Sequence, residues 1–160
     1  MAEESGYQLA EKAALRLIAR AEQCSAGLSR KLEKRKHDAV VVSEVISNLI
    51  KLKLLDDNRF ARLWLESRIR LTRSPRQLLS SLCAKGINRD EAEAALKNVL
   101  DDETELSIII RYVKKNAKKI SKNGDVTRES RQSSQRSIKY MLRNEGFSFA
   151  VIDRYLEENF

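Results

Sequence analysis

Read from the N-terminus, apolar residues fall three and four positions apart almost without interruption, the spacing of one face of an α-helix. Leu9, Ala13, Leu17 and Ala21 share a face in the first segment. A second segment carries Leu28 and Leu32 behind Ser25, and a third carries Val42, Val45, Ile46 and Leu49 behind Asp38. Ser25 and Asp38 are residues suited to capping a helix start. Val40-Val41-Val42 has strand propensity, but a lone strand has nothing to pair with, so the segment reads as helix. Asp56-Asp57 opens a fourth segment, with Phe60, Trp64 and Leu71 on its apolar side and negative charge at the positive end of the helix. Ser74-Pro75 predicts a cap and a first-turn proline for a fifth, which carries Leu78, Leu79 and Leu82 and stops at Gly86. Asn88 with Glu91 opens a sixth, containing Ala92, Ala95, Leu96 and Val99. Asp102 with Glu105 opens a seventh, containing Leu106, Ile109, Ile110, Val113, Ala117 and Ile120. Ile138, Met141 and Leu142 mark the eighth, which stops at Gly146; Phe149, Ile152, Tyr155 and Leu156 mark the ninth.

The nine segments fall into three sets of three. Leu55-Asp56-Asp57 recurs as Leu100-Asp101-Asp102, and Leu82-x-x-Lys85-Gly86-Ile87 recurs as Leu142-x-x-Glu145-Gly146-Phe147. Apolar residues stand 10 and 14 positions after each of these leucines: Ala92 and Leu96, then Ile152 and Leu156. Leu32 obeys the same spacing with Val42 and Ile46. The glycines suit the position just past a helix end, where φ is positive. In the first set Lys36-His37 stands there, so that turn is expected to close differently. The fold expected is all-α: three tandem three-helix repeats over residues 1–55, 56–100 and 101–160, stacked into an elongated, curved helical body. The third repeat carries a polar insertion near 121–135, read as a hinge loop joined to a solvated extension of the eighth helix.

Composition narrows the class. With five glycines and one proline in 160 residues, the chain lacks the turn formers that a many-stranded β fold needs. No apolar run is long enough to span a membrane, and the acidic start has no apolar stretch of a secretory signal, so the cytoplasm is the expected location. Cys24 and Cys83 lie far apart and His37 is the lone histidine, so no zinc-type ligand set is visible; both cysteines are expected to be small buried hydrophobes. Neither a phosphate-binding glycine loop nor a nucleophile motif occurs, and His37 has only adjacent Asp38 as an orienting candidate. The aspartate pairs sit at helix starts, where capping is a better reading than metal binding. These features point to a binding protein without cofactor, and not to an enzyme.

Charge supplies the positive clue. Thirty-one basic residues face 23 acidic ones, a net charge of +8. The excess is spread over all three repeats, which favours a polyanionic partner. Arg59, Arg62, Arg70 and Arg73 fall three and four positions apart around Glu66 and are expected on one face of the fourth helix. Arg111, Lys115, Lys118 and Lys122 do the same on the seventh, and Arg136, Lys139 and Arg143 on the eighth. From Arg111 to Arg143 there are eleven basic residues against two acidic ones, Asp125 and Glu129. Stripes of one sign suit phosphates or an acidic protein groove; the competing reading is the ordinary charged outer face of an amphipathic helix. Trp64 and Tyr155 lie on apolar stripes and read as core, Tyr112 and Tyr140 flank the basic faces, and no aromatic ladder of a single-strand platform is apparent.

The second repeat carries a more specific mark. Leu54-Leu55-Asp56-Asp57-Asn58-Arg59-Phe60-Ala61, followed by Arg68, Arg70 and Leu78-x-x-x-Leu82-x-x-Lys85-Gly86-Ile87, resembles the RecX family of recombinase regulators. The resemblance covers roughly residues 13–157 and departs at Lys36-His37, where the family usually has Gly and an aromatic or aliphatic residue. It implies a cytoplasmic protein that binds RecA-type recombinase filaments on single-stranded DNA, lodges in the filament groove, and damps ATPase, strand exchange and co-protease activities. A monomer is expected. On this reading Arg59, Arg62, Arg70 and Arg73 hold one contact face. Lys114, Lys115, Lys118, Lys119, Arg136, Lys139 and Arg143 hold the other. Leu55, Phe60, Trp64, Leu82 and Leu96 are core. Two further readings fit the stripes: a helical protein that binds single- or double-stranded DNA directly, and a helical adaptor for another acidic protein.

Overall fold

The structure is a computed structural model that describes residues 5–120 and 128–160. Among the described residues there are nine α-helices and no strand: α1 (Gly6–Arg20), α2 (Ser25–Lys34), α3 (Ala39–Lys51), α4 (Asp57–Arg68), α5 (Pro75–Lys85), α6 (Arg89–Val99), α7 (Asp102–Ile120), α8 (Arg128–Asn144) and α9 (Phe149–Asn159). Two compact units form, one of Met1–Trp64 with Ser81–Ala95, the other of Leu65–Ser80 with Leu96–Phe160. In the first, α1, α2 and α3 close over Ala14, Leu28, Leu32, Val42, Val45 and Leu49. In the second, α7, α8 and α9 enclose Ile108, Ile109, Leu142, Phe147 and Ile152, with the rings of Tyr112 and Phe147 meeting edge to face at 5.7 Å. Of the polar insertion near 121–135, residues 121–127 lie outside the described residues and 128–135 belong to α8.

Most helices begin on a side chain of their own. The Asp38 carboxylate accepts from the amides of Val40 and Val41. Asp56 accepts from Arg59 N at 3.0 Å and Asp101 from Thr104 N at 2.7 Å, so the repeated aspartate pair caps α4 and α7 through its first member. Hydrogen bonds from the Thr104 side chain and then from its amide lower the Asp101 carboxyl from its ordinary value. Ser74 and Gln77 form a reciprocal capping box ahead of Pro75. The caps preceding α2 and α9, Cys24 and Ser148, make no side-chain bond to their own helix. Those two starts instead borrow a carboxylate. Asp57 accepts from Ser25 N at 2.6 Å and from its hydroxyl at 2.5 Å, and Glu105 accepts from Ser148 N at 2.6 Å and its hydroxyl at 2.9 Å.

The turns after α2, α5 and α8 close identically, contrary to the expectation for Lys36-His37. In each, the residue with positive φ donates to the carbonyl three back, and the next donates to a buried leucine: Lys36 N to Glu33 O and His37 N to Leu32 O, Gly86 N to Cys83 O and Ile87 N to Leu82 O, Gly146 N to Arg143 O and Phe147 N to Leu142 O. This is the Schellman pattern, with φ of 69° at Lys36, 97° at Gly86 and 82° at Gly146. Lysine takes the left-handed conformation here because two backbone bonds outweigh a cost of roughly 1 kcal/mol. Lys36→Gly is therefore expected to raise unfolding stability by about 0.5–1 kcal/mol in a urea titration, and no gain would refute the strain.

At the other two turns the preceding repeat lies against the glycine, too close for a Cβ at Gly86 and at ordinary contact distance at Gly146. In the first unit, Gly86 packs on Ala26, and the Lys85 carbonyl accepts from the Cys24 thiol at 3.4 Å and from Arg30 Nη2 at 2.6 Å. In the second, Gly146 packs on Pro75 and Arg76, the Glu145 carbonyl accepts from Arg76 N at 3.0 Å, and the Ser74 hydroxyl donates to Glu145 Oε2 at 2.5 Å. The same joint thus occurs twice: the turn closing the middle helix of one repeat seats on the start of the middle helix of the repeat before it. In the second unit the Glu145 carbonyl meets an amide in the first turn of α5, the electropositive end of that helix, which favours the pairing.

Several expected faces are corrected. In α1, Ala10 and Ala14 are buried while Leu9 and Ala21 are exposed; the alanines let the helix backbone approach its neighbours closely. α4 buries Ala61 and Leu65, leaving Phe60 and Trp64 half-buried and Leu71 exposed beyond the helix end. In α7, Ile108 and Tyr112 join the core, and Ile110 and Ala117 face outward. Phe149 of α9 is exposed, and of the cysteines only Cys24 is buried, Cys83 being exposed.

Candidate interaction surface

The basic residues singled out by spacing separate into those engaged with the fold and those presented outward. Arg59 is engaged: its guanidinium pairs with Glu22 at 2.7 Å and donates to the carbonyls of Lys53 and Leu54 at the end of the α3 turn. Half-buried in this clamp, it holds the entry to α4. Arg62 is exposed on α4. Arg70 and Arg73 do not share its helical face, because α4 ends at Arg68; a turn with Leu71 N bonded to Arg68 O carries the chain toward Ser74-Pro75. Arg70 is exposed there and Arg73 is half-buried. Arg111 closes the end of α4 from α7, donating to Arg70 O at 2.9 Å and Ile69 O at 3.5 Å. Spacing alone places Arg111 on an outward stripe; its carbonyl partners lie some 40 positions away in sequence, where no local pattern reaches.

On α7, Lys114 and Lys115 are exposed. The side chains of Lys118 and Lys119 lie outside the described residues, as does Lys122 entirely. On α8, Arg136 and Arg143 are exposed, while Lys139 is half-buried and pairs with Asp153 at 2.5 Å, which offsets its charge. The Arg143 guanidinium stacks over the Phe149 ring, 4.6 Å from its centre. Tyr112 is core, and burial, together with the neighbouring Glu145 carboxylate, raises its phenol above the ordinary value. Burial likewise raises the phenol of Tyr155. Tyr140 is 72% exposed, the most outward aromatic ring described. Lys85 sits 5.8 Å over the Trp64 ring in the first unit. Among the described residues no helix is long and apolar enough to cross a membrane.

These outward cations offer charge and hydrogen-bond donors at the surface, which suits association with an anionic macromolecule. Comparison with known proteins narrows that chemistry. A family model described as RecX, second three-helix domain, matches residues 56–96, which run from α4 into α6 and include all of the L-D-D-x-R-F-A element but its first leucine, Leu55. A protein of Treponema pallidum (strain Nichols) named Regulatory protein RecX is 37% identical over 107 residues, 66% of this chain and 65% of that protein. A Bacillus pumilus (strain SAFR-032) protein of the same name is 33% identical over 128 residues, 79% of this chain and 46% of that protein. The match therefore covers slightly under two-thirds of the one relative and about half of the other. The crystal structure of RecX from Lactobacillus salivarius shares the fold, with a TM-score of 0.74, 24% identity and 96% of each chain covered.

Proposed function

The chain belongs to the RecX family, and from that premise we propose that it regulates recombinase by binding RecA-type filaments on single-stranded DNA and restraining their activity. The groove between filament turns would receive the helical repeats. The observation that carries this reading is the set of exposed basic side chains Arg70, Lys114, Lys115, Arg136 and Arg143. Such side chains speed encounter with an acidic surface and fix its register. Because the repeats are covalently joined, each contact raises the effective concentration of the next, so modest contacts sum to firm binding. Arg59 stays with the fold in this account, and Arg70, Lys114 and Lys115 carry contact.

The test is single-stranded-DNA-dependent ATP hydrolysis by the cognate recombinase while this protein is titrated from far below equimolar. Loss of hydrolysis at substoichiometric amounts is expected. Unchanged hydrolysis, with recombinase still on the strand, would remove the reading. The double reversal Arg70→Glu with Lys115→Glu is expected to raise the half-inhibiting concentration about tenfold, equivalent to ~1.4 kcal/mol of binding. An inhibition curve identical to the parent's would withdraw these residues from the contact.

A further inference from the structure

The three repeats agree at their buried positions and part company at their exposed ones. Leu32, Leu82 and Leu142 are all fully buried at one repeat position. Outside the core, Arg136, Tyr140, Arg143 and Phe149 of the third repeat stand where the second has Arg76, Ser80, Cys83 and Arg89, and the first has Ala26, Arg30, Glu33 and Ala39. The fold therefore does not require aromatics at these places. Arg136, Tyr140 and Arg143 are spaced four and three, which sets them along one face of α8 over about 10 Å. Phe149 opens α9 beside them, under the Arg143 guanidinium. Tyr140 is 72% exposed and Phe149 58%, whereas Tyr112, Phe147 and Tyr155 of the same unit are buried. Cation, ring, cation and ring alternate on the surface. Large rings left in water without packing mark a place where something else packs.

We propose that this face binds a single strand of nucleic acid, with unpaired bases stacking on Tyr140 and on the Phe149–Arg143 pair while Arg136 and Arg143 meet the phosphates. Every base has a flat face for an exposed ring, and a stacked guanidinium keeps its N–H edge for phosphate oxygens. In a duplex the paired bases keep their faces in the stack, so the rings find no partner there. An acidic peptide would satisfy the arginines and leave the rings in water, which favours the strand. The proposal needs no recombinase and stands apart from the filament reading.

The experiment uses the full chain without recombinase, a dye-labelled 20-nucleotide oligo(dT), a hairpin duplex and polyglutamate, followed by fluorescence anisotropy at low salt. The parent is expected to bind the strand more tightly than the duplex. Tyr140→Ala and Phe149→Ala should each weaken strand binding about five- to a hundredfold and leave duplex binding and the melting temperature unchanged. Tyr140→Phe should bind like the parent, and Arg136→Gln should lower the salt slope for the strand by about 0.7. Alanine variants that bind like the parent, or that lose strand and duplex equally, would overturn the stacking site. So would a parent that binds no strand, or one that binds polyglutamate as tightly with the same losses. The recombinase assay above is untouched by any of these outcomes.

Discussion

Gly86→Ala is expected to destabilise the protein by about 2–5 kcal/mol, the sum of a left-handed backbone penalty and an overpacking cost. With φ at 97°, the added Cβ would fall 2.4 Å from the Ala26 Cβ and 3.8 Å from its Cα. Neither atom belongs to a flexible side chain, and the start of α2 is held by the Asp57 carboxylate on Ser25. The helix must therefore shift as a body or the turn must open, which also strains the bonds from Cys24 and Arg30 to the Lys85 carbonyl. Gly146→Ala provides the control. Its φ is similarly positive, but the nearest heavy atom is Arg76 N at 3.6 Å, an ordinary contact. That variant should lose only the backbone share, about 1–2 kcal/mol. Urea titrations at unchanged m-value read both. Equal losses would show that the joint at Gly86 has slack. Adding Ala26→Gly to Gly86→Ala should recover part of the loss, less about 1 kcal/mol for a helical glycine.

Glu105→Ala should cost about 2–4 kcal/mol, because it strips two donors at the start of α9 of their partner. Glu105 is 5% exposed and accepts from both the amide and the hydroxyl of Ser148. Its removal also deletes the negative charge facing the positive end of that helix. Ser148→Ala removes only the hydroxyl bond and should lose about 1 kcal/mol. If the two variants lost the same amount, the amide–carboxylate bond would contribute nothing and the borrowed cap would be refuted.

The part of the fold legible in the sequence is the part governed by local rules. Helix starts at Asp38, Asp56 and Ser74 and helix stops at Gly86 and Gly146 each depend on a few neighbouring residues, and the structure has them in place. The buried leucines at 32, 82 and 142 follow from a spacing that recurs. Rotation of a helix about its axis is less legible: Ala10 and Ala14 of α1 are buried because small side chains permit close approach, which hydrophobicity alone ranks below Leu9. The turn at Lys36 defeats the expectation because its two backbone bonds hold a lysine in the left-handed conformation; a neighbouring repeat leaves no room for a Cβ only at Gly86, where Ala26 stands 2.4 Å from its place. The candidate surface is half legible. Exposure of Lys114, Lys115, Arg136 and Arg143 follows from helical spacing. The engagement of Arg59 with Glu22, and of Arg111 with Arg70 O, links residues 37 and 41 positions apart and is settled only by tertiary geometry.

The joint between repeats also sets a schedule for synthesis. Cys24 finds its carbonyl partner at Lys85 and Ser74 its carboxylate partner at Glu145, spans of 61 and 71 residues. At about 5–20 residues per second, the start of α2 is made roughly 3–12 s before the turn that seats on it. Throughout that interval the nascent first repeat shows water, and any chaperone at the exit tunnel, a helix start that the finished protein covers. A codon run that slows the ribosome just ahead of Lys85 would lengthen this exposure without changing a single amino acid.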